Sequence, residues 1–294
     1  MALFKGAGVA LVTPFHEDKS VNYEELGRLL EYQLEGNIDA IIVCGTTGEP
    51  VTMTEEERLS VIEYTVEKVA KRVPVIAGSG GNCTENTISF SKKAQNLGVD
   101  GLLVVTPYYN KATQQGLYEH YKSIAEAVKI PIILYNVPSR TGLNLLPDTA
   151  VRLAKACENI VAVKEASGNI TQVADLINKA DGYLDVYSGN DDQIVPILSL
   201  GGIGAISVLA NIAPKDTHNM VMNYLNGNIK EAATLQLEYL NLCHALFLEV
   251  NPIPVKKALE LMGFATKTLR LPLTELEGVN VLIIEEMMRE LGLI

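Results

Sequence analysis

Eight compact apolar runs recur along the first two thirds of this 294-residue chain, and segments with helical periodicity separate them. The runs cover residues 8–14, 40–45, 74–79, 101–107, 131–138, 160–167, 185–191 and 204–211. Each run is continuously apolar rather than alternating, which is typical of parallel strands covered on both faces. Eight such strands, each followed by a helix, predict an α/β fold of the (β/α)8 TIM barrel class.

Local signals mark where several of the helices begin and end. Residues 23–36 have leucines at helical spacing and close with a glycine, and TEEE at positions 54–57 is a capping box that begins the next helix. An open, doubly wound sheet is the alternative fold, but it usually has a glycine-rich nucleotide-binding turn after its first strand. Here the first strand is followed by TPF at positions 13–15, which favours the barrel.

The chain after about residue 214 has helical periodicity and no further strand pattern. We therefore predict a barrel domain over residues 1–224, which carries the active site, and a C-terminal helical domain over residues 225–294. The helical pattern of residues 220–261 has one break, at 251–254, and a last amphipathic helix ends near residue 291. This C-terminal extension is expected to cover the barrel or to form an interface between subunits.

Charge and cysteine content exclude several classes of function. The formal net charge is −11 and no run is rich in Lys or Arg, which argues against nucleic acid or an anionic membrane as the main partner. The apolar N-terminal stretch is too short to span a bilayer. Four scattered cysteines without a CxxC pair are typical of free thiols, so we predict a cytoplasmic protein. The four histidines lack metal-ligand spacing, so no metal site is predicted.

A lysine interrupts one of the apolar runs, IVAVKEAS at positions 160–167. Burial of an ammonium group without a partner is costly, so Lys164 needs an explanation. Strand alternation places Ala162, Lys164 and Ala166 on one face, and the two alanines leave space for a pocket. An apolar pocket favours a neutral amine, which can attack a carbonyl and form a Schiff base. The alternative is a lysine that pairs with a carboxylate across the barrel mouth.

Further candidates follow the other strands, because barrel enzymes place their reactive groups at the carboxyl ends of strands. Thr46 and Thr47 offer hydroxyl and backbone donors for a carboxylate or phosphate, or belong to an ordinary capped turn. Tyr135 and Tyr109 are candidates for proton transfer, or are tyrosines with satisfied hydroxyls. Arg140 is suited to bind a carboxylate, or is a solvated loop charge.

Three motifs together are similar to those of one family. GTTGE at 45–49, YNVPSRTG at 135–142 and VKEASG at 163–168 resemble the dihydrodipicolinate synthases. These belong to the pyruvate-dependent aldolases that include N-acetylneuraminate lyase. The resemblance extends from GVALVTPF at 8–15 to NPIPVK at 251–256, so it covers nearly the whole chain.

The resemblance implies an enzyme that condenses pyruvate with L-aspartate 4-semialdehyde to give 4-hydroxy-tetrahydrodipicolinate, the entry step of lysine biosynthesis. Lys164 would form a covalent Schiff base with pyruvate, so no separate cofactor is implied. Thr46 and Thr47 would bind the pyruvate carboxylate. Tyr135, Thr46 and Tyr109 would form a proton relay, with Tyr109 contributed by a neighbouring subunit.

The resemblance also implies the remaining binding residues and the assembly. Arg140 would bind the carboxylate of the semialdehyde, and Gly189 and Ile206 would line the pyruvate pocket. Family members are usually homotetramers built as dimers of dimers. Two alternatives stay open. One is a sugar-acid lyase of the N-acetylneuraminate or keto-deoxy-gluconate type, which would use the same lysine and Tyr135. The other is a keto-acid sensor without catalytic activity.

Regulated members of the family bind lysine at the tight-dimer interface. Asn82 and Tyr108 match that site. Five positions differ from strongly inhibited enzymes, namely Pro50, Val51, Glu55, Arg58 and Asn86. Because Asn86 stands where a glutamate would bind the amine of lysine, we predict weak or absent inhibition by lysine.

Overall fold

The computed structural model describes residues 2–294, and its centre is a closed barrel of eight parallel strands. The strands are β1 Gly6–Ala10, β2 Ala40–Val43, β3 Val75–Gly78, β4 Gly101–Val105, β5 Ile132–Asn136, β6 Ile160–Glu165, β7 Asp185–Ser188 and β8 Gly204–Ser207. Each strand pairs with the next in sequence, and β8 pairs with β1 to close the ring. The predicted (β/α)8 barrel is confirmed.

All eight apolar runs contain a strand, but the strands end earlier than the runs do. The first run ends at residue 14 and β1 ends at Ala10, while the last run continues past β8 into a 3-10 turn, Leu209–Asn211. The extra residues are buried loops at the carboxyl edge of the barrel. Many of them are apolar because they are buried, and periodicity alone does not distinguish a buried loop from a strand.

Within residues 2–294, nine α-helices surround the strands. They are α1 Tyr23–Glu35, α2 Glu55–Val69, α3 Thr84–Asn96, α4 Gln114–Ala127, α5 Pro138–Thr141, α6 Pro147–Ala156, α7 Ile170–Ala180, α8 Ile194–Ser199 and α9 Pro214–Leu225. The predicted capping box is present, because Thr54 Oγ1 accepts from the Glu57 amide at 3.2 Å and Glu57 Oε2 accepts from the Thr54 amide at 2.9 Å. Gly36 caps α1, as its sequence indicates.

Four more helices follow α9, which is the last helix of the barrel layer. They are α10 Ile229–Glu238, α11 Leu240–Ala245, α12 Ile253–Leu261 and α13 Gly278–Glu290. The expectation of one break within residues 220–261 is wrong. The predicted break at 251–254 overlaps the segment between α11 and α12, but the chain also leaves the helix around Gly227 and at Tyr239, between α10 and α11. The φ of 88° at Gly227 is unfavourable for other residues. No helix within residues 2–294 has the length and apolarity needed to cross a membrane.

Apolar side chains form one cluster inside the barrel and another between the barrel and its helices. The amino end of the barrel is closed by Phe4, whose ring stacks on Tyr187 with centroids 4.4 Å apart. The Tyr187 hydroxyl donates to the Phe4 carbonyl at 2.6 Å. This plug leaves the carboxyl end as the accessible end of the barrel.

Candidate active site

Lys164 lies on β6 with its side chain directed into the carboxyl half of the barrel. It is 5 % exposed, and its Cα pairs in register with Tyr135 on β5 and Tyr187 on β7. Ala162 and Ala166 share its face and belong to the cluster inside the barrel, as alternation predicts. The Lys164 Nζ lies 4.5 Å from the centroid of the Tyr135 ring, which is within the range of a cation–π contact.

No carboxylate of residues 2–294 lies within the 4.0 Å ion-pair distance of Lys164 Nζ. The adjacent Glu165 carboxylate belongs to another network, where it accepts from Asn136 Nδ2 at 3.0 Å and from the Ser167 amide at 2.7 Å. The chain does contain a buried structural lysine, Lys256, and it is a different residue. The structure therefore does not support the alternative in which Lys164 forms an ion pair with a carboxylate.

A cavity of about 510 Å³ surrounds the Lys164 amine and opens at the carboxyl end of the barrel. This space, called the Lys164 cavity below, is lined by Lys164, Thr46, Thr47, Tyr135, Arg140, Gly189 and residues 247–251, among others. Six of the eight site residues predicted from the sequence therefore surround one space. Residues 247–251 belong to the loop between α11 and α12, and their contribution was not predicted.

Gly189 creates part of the space that Lys164 occupies. A Cβ atom at this position would lie 3.1 Å from Lys164 Cε and only 2.6 Å from Ala166 Cβ. Its amide donates to the Glu165 carbonyl at 2.8 Å, which fixes the start of the loop after β7. Ile206 is fully buried within the barrel on β8, but it is not among the residues that line the cavity.

The two threonines lie in a 3-10 turn, Thr46–Gly48, directly after β2. Thr47 is 2 % exposed, and its Oγ1 accepts a hydrogen bond from Asn251 Nδ2 at 3.0 Å. The turn ends at Glu49, whose left-handed φ of 54° is held by a buried pairing with Lys256. The tertiary structure therefore fixes this turn from both sides.

The two tyrosines are placed very differently. Tyr135 is 6 % exposed and lines the Lys164 cavity, whereas Tyr109, in the loop after β4, is 90 % exposed and does not line that cavity in its own chain. The structure brings Thr46 and Tyr135 to the same space without a direct hydrogen bond between them. It does not bring Tyr109 to Lys164 within one chain.

Arg140 lies on the short helix α5 at the rim of the Lys164 cavity. Its Nη2 donates to the Asn251 carbonyl at 3.1 Å, and it has no ion pair with any carboxylate of residues 2–294. The other four N–H donors of the guanidinium take no part in this contact. A guanidinium can bind a carboxylate through two parallel hydrogen bonds.

Asp191 is a buried residue that holds part of the site in place, and no role was predicted for it from the sequence. Its Oδ2 accepts from the amides of Val208 and Leu209 at 2.9 and 2.8 Å. Burial raises the pKa of this carboxyl group, and the two amides oppose that effect. The contact fixes the turn after β8, from which Val208 faces the Lys164 cavity.

A second cavity, of about 430 Å³, shares Thr46, Tyr135 and Arg140 with the first and is called the Arg58 cavity. Among the positions compared with the lysine site of regulated enzymes, Pro50, Val51, Arg58 and Tyr108 line it. The Arg58 guanidinium packs 3.7 Å from the centroid of the Phe90 ring and donates to the Gly78 carbonyl at 3.1 Å. Within residues 2–294, no group of three or more His, Cys, Asp or Glu is arranged to hold a metal ion.

Comparison with known proteins agrees with this geometry. The model of the dihydrodipicolinate synthetase family matches residues 3–290. The chain belongs to this family. Within the family, the 4-hydroxy-tetrahydrodipicolinate synthase of Lachnoclostridium phytofermentans is 57% identical over 294 residues, which is 100% of both chains. That of Caldicellulosiruptor bescii is 59% identical over 293 residues, covering 100% of this chain and 99% of the relative.

A solved structure of the same family has the same fold along the whole chain. It is the chloride-inhibited dihydrodipicolinate synthase of Acinetobacter baumannii complexed with pyruvate, with a TM-score of 0.97, 44% identity and 99% of each chain covered. The resemblance inferred from the three motifs is confirmed by these comparisons, and so is membership of a family of enzymes.

Proposed function

We propose that this chain is a lyase that condenses pyruvate with L-aspartate 4-semialdehyde through a Schiff base on Lys164, giving 4-hydroxy-tetrahydrodipicolinate. The observation that carries this proposal is the setting of Lys164, which is buried at the accessible end of the barrel and lacks a carboxylate partner. The names of its relatives and the pyruvate in the related Acinetobacter enzyme support the choice of substrates.

The chemistry begins with the attack of the neutral Lys164 amine on the keto carbon of pyruvate. Loss of one water molecule from the resulting carbinolamine gives the imine, and the lysine itself is the only covalent group required. Removal of a methyl proton then gives an enamine, because the protonated imine nitrogen accepts the electron pair. The enamine carbon attacks the aldehyde carbon to form the new C–C bond, and the aldehyde oxygen takes up a proton. The amino group of the semialdehyde part then attacks the imine carbon, which closes the heterocycle and breaks the bond to Lys164, releasing the lysine amine.

Hydroxyl groups are suited to move the protons in these steps without adding another buried charge. In our proposal Tyr135 and Thr46 form the relay together with Tyr109 of a neighbouring subunit. The exposure of Tyr109, and its absence from the Lys164 cavity of its own chain, support a role in a second copy. This assignment implies at least a dimer, and we propose the homotetramer built as a dimer of dimers.

Two anion-binding positions distinguish the synthase from its alternatives. Thr46 and Thr47 are proposed to bind the pyruvate carboxylate, and Arg140 the carboxylate of the semialdehyde, while Gly189 and Ile206 shape the pyruvate pocket. Arg140 has no carboxylate partner within residues 2–294, which supports this role. A polyol aldehyde has no carboxylate for this arginine, so a sugar-acid lyase would leave it unused.

We also propose the division into a barrel domain, 1–224, and a helical domain, 225–294, and a cytoplasmic location. The division falls at the end of α9, and the location is supported by four cysteines that are all free thiols.

An aldehyde panel with pyruvate tests the proposed reaction. We expect the semialdehyde to consume pyruvate and give a heterocyclic product detectable by mass spectrometry, with N-acetylmannosamine and glyceraldehyde inactive. Turnover of a sugar aldehyde at a comparable kcat/KM would favour the lyase. Binding of pyruvate without exchange of its methyl protons into deuterated water would favour the sensor.

A further inference from the structure

The C-terminal helices reach the Lys164 cavity through Asn251, which lies between α11 and α12. This residue is 4 % exposed. Its Nδ2 donates to Thr47 Oγ1 at 3.0 Å, and its backbone carbonyl accepts from Arg140 Nη2 at 3.1 Å. One residue therefore contacts both groups that are proposed to bind substrate carboxylates.

Resting on the proposed function, we propose that Asn251 is a positioning residue that aims the Thr47 hydroxyl at the carboxylate of the keto acid. A threonine hydroxyl has one hydrogen to donate and two lone pairs to accept. Because Asn251 Nδ2 occupies a lone pair, the contact leaves the Thr47 hydrogen free. Thr47 donates it to no acceptor within residues 2–294, so it is available to an anion in the cavity.

The surroundings of the Asn251 amide indicate that its role is orientation rather than stability. Its Oδ1 is buried and has no hydrogen-bond partner within residues 2–294. Among residues 2–294, the contact with Thr47 is therefore the only hydrogen bond of this side chain. A buried carbonyl without a protein partner is unfavourable, so its presence here calls for an explanation. A donor that polarises Thr47 provides one, because linked hydrogen bonds strengthen each other.

The variant Asn251→Asp tests this role with almost no change in shape. An ionised carboxylate only accepts hydrogen bonds, so Thr47 must donate to it and loses its donor for pyruvate. We expect the KM for pyruvate to rise about tenfold or more, with a smaller change in kcat at saturating pyruvate, and Asn251→Ala to raise KM about three- to tenfold. The matched control is Asn159→Ala, which removes an amide bonded to the Ala125 and Val128 carbonyls at 2.9 and 3.1 Å, before β6 and away from the cavity, and should leave KM unchanged.

A double-mutant cycle separates an effect through Thr47 from a general structural effect. If Asn251 acts through Thr47, Asn251→Ala raises KM no further in a Thr47→Val background. Asn251→Asp still raises KM there, because its charge repels the pyruvate anion directly. An unchanged KM in either single variant, or an equal increase for Asn251→Ala with and without Thr47, overturns the inference. If Asn251→Asp does not fold, Asn251→Ala in the two backgrounds gives the same comparison.

The failure of this inference is distinguishable from failure of the proposed function. Wild-type protein that is trapped with pyruvate on Lys164 retains the proposed function, whatever the Asn251 variants do. Wild-type protein that forms no adduct removes the basis of both.

Discussion

Lys256 and Glu49 form a fully buried ion pair, in which Nζ lies 2.6 Å from Oε1. The lysine comes from α12 and the glutamate ends the turn that carries Thr46 and Thr47. Lys256 also donates to the carbonyls of Thr13 and Thr268, so all three of its donors are used. The pair therefore ties the C-terminal helices to the edge of the active site.

We predict that Lys256→Met destabilises the protein by about 3–5 kcal/mol, because it leaves the Glu49 carboxylate buried without a partner. Replacing both residues, as Lys256→Met with Glu49→Leu, should recover much of that loss. Chemical denaturation measures both effects. Lys257→Met is the control, because its pair with Glu260 is partly exposed and is expected to contribute at most about 1 kcal/mol. Equal losses in the two single variants would contradict the role of the buried pair.

Gly189→Ala is predicted to damage the site without unfolding the barrel. The added Cβ would press on Ala166 at 2.6 Å and on Lys164 Cε at 3.1 Å, so the amine must move. We expect kcat/KM to fall about 100-fold, the size of effect that follows a small displacement of a reacting group. Gly278→Ala is the matched control, because its Cβ would meet no atom within 4 Å. Full activity in Gly189→Ala would show that the lysine has more room than the structure gives it.

Mixed oligomers test whether Tyr109 acts in a neighbouring subunit. Tyr109→Ala and Lys164→Ala should each be nearly inactive alone. Unfolded and refolded together, they should recover about a quarter of the sites, because half of randomly formed dimers are mixed and each has one complete site. Steady-state rates of the mixture against each parent measure this. No recovery in mixtures shown by mass spectrometry to contain both chains would place Tyr109 outside the relay.

Lysine is predicted to inhibit weakly or not at all. Asn86 is an amide where regulated enzymes have a carboxylate. In addition, the Arg58 guanidinium gives the Arg58 cavity a positive charge, and this charge disfavours the binding of an ammonium group. Initial rates should be almost unchanged at millimolar L-lysine. Strong inhibition by L-lysine below 1 mM would contradict this prediction. We expect Asn86→Glu to increase the sensitivity to L-lysine.

The sequence predicted the features that depend on local pattern. Continuous apolar runs indicated eight parallel strands, and alternation within β6 placed Lys164 among alanines on the inner face. One available signal was missed. Ile253, Lys256 and Leu259 recur at a spacing of three, which puts this lysine on the buried face of α12.

The remaining features depend on contacts between distant segments. Asn251 meets Thr47 across 204 residues of sequence, and no periodicity relates the two. The uneven exposure of Tyr109 and Tyr135 depends on the path of the loop after β4. A single sequence contains no signal for the Asn251–Thr47 hydrogen bond or for the exposure of the two tyrosines. Both features arise only when the barrel closes and the C-terminal helices pack on it.

Trapping with borohydride tests directly whether pyruvate forms a Schiff base with Lys164. Pyruvate and the native protein are incubated, the imine is reduced, and the modified peptide is identified by mass spectrometry. We predict one adduct, on Lys164, with none on Lys256, which is buried and held by Glu49. We also predict that Lys164→Arg abolishes the adduct while the barrel stays folded. Folded protein with Lys164 unmodified, or an adduct on another lysine, would contradict the proposed role of Lys164.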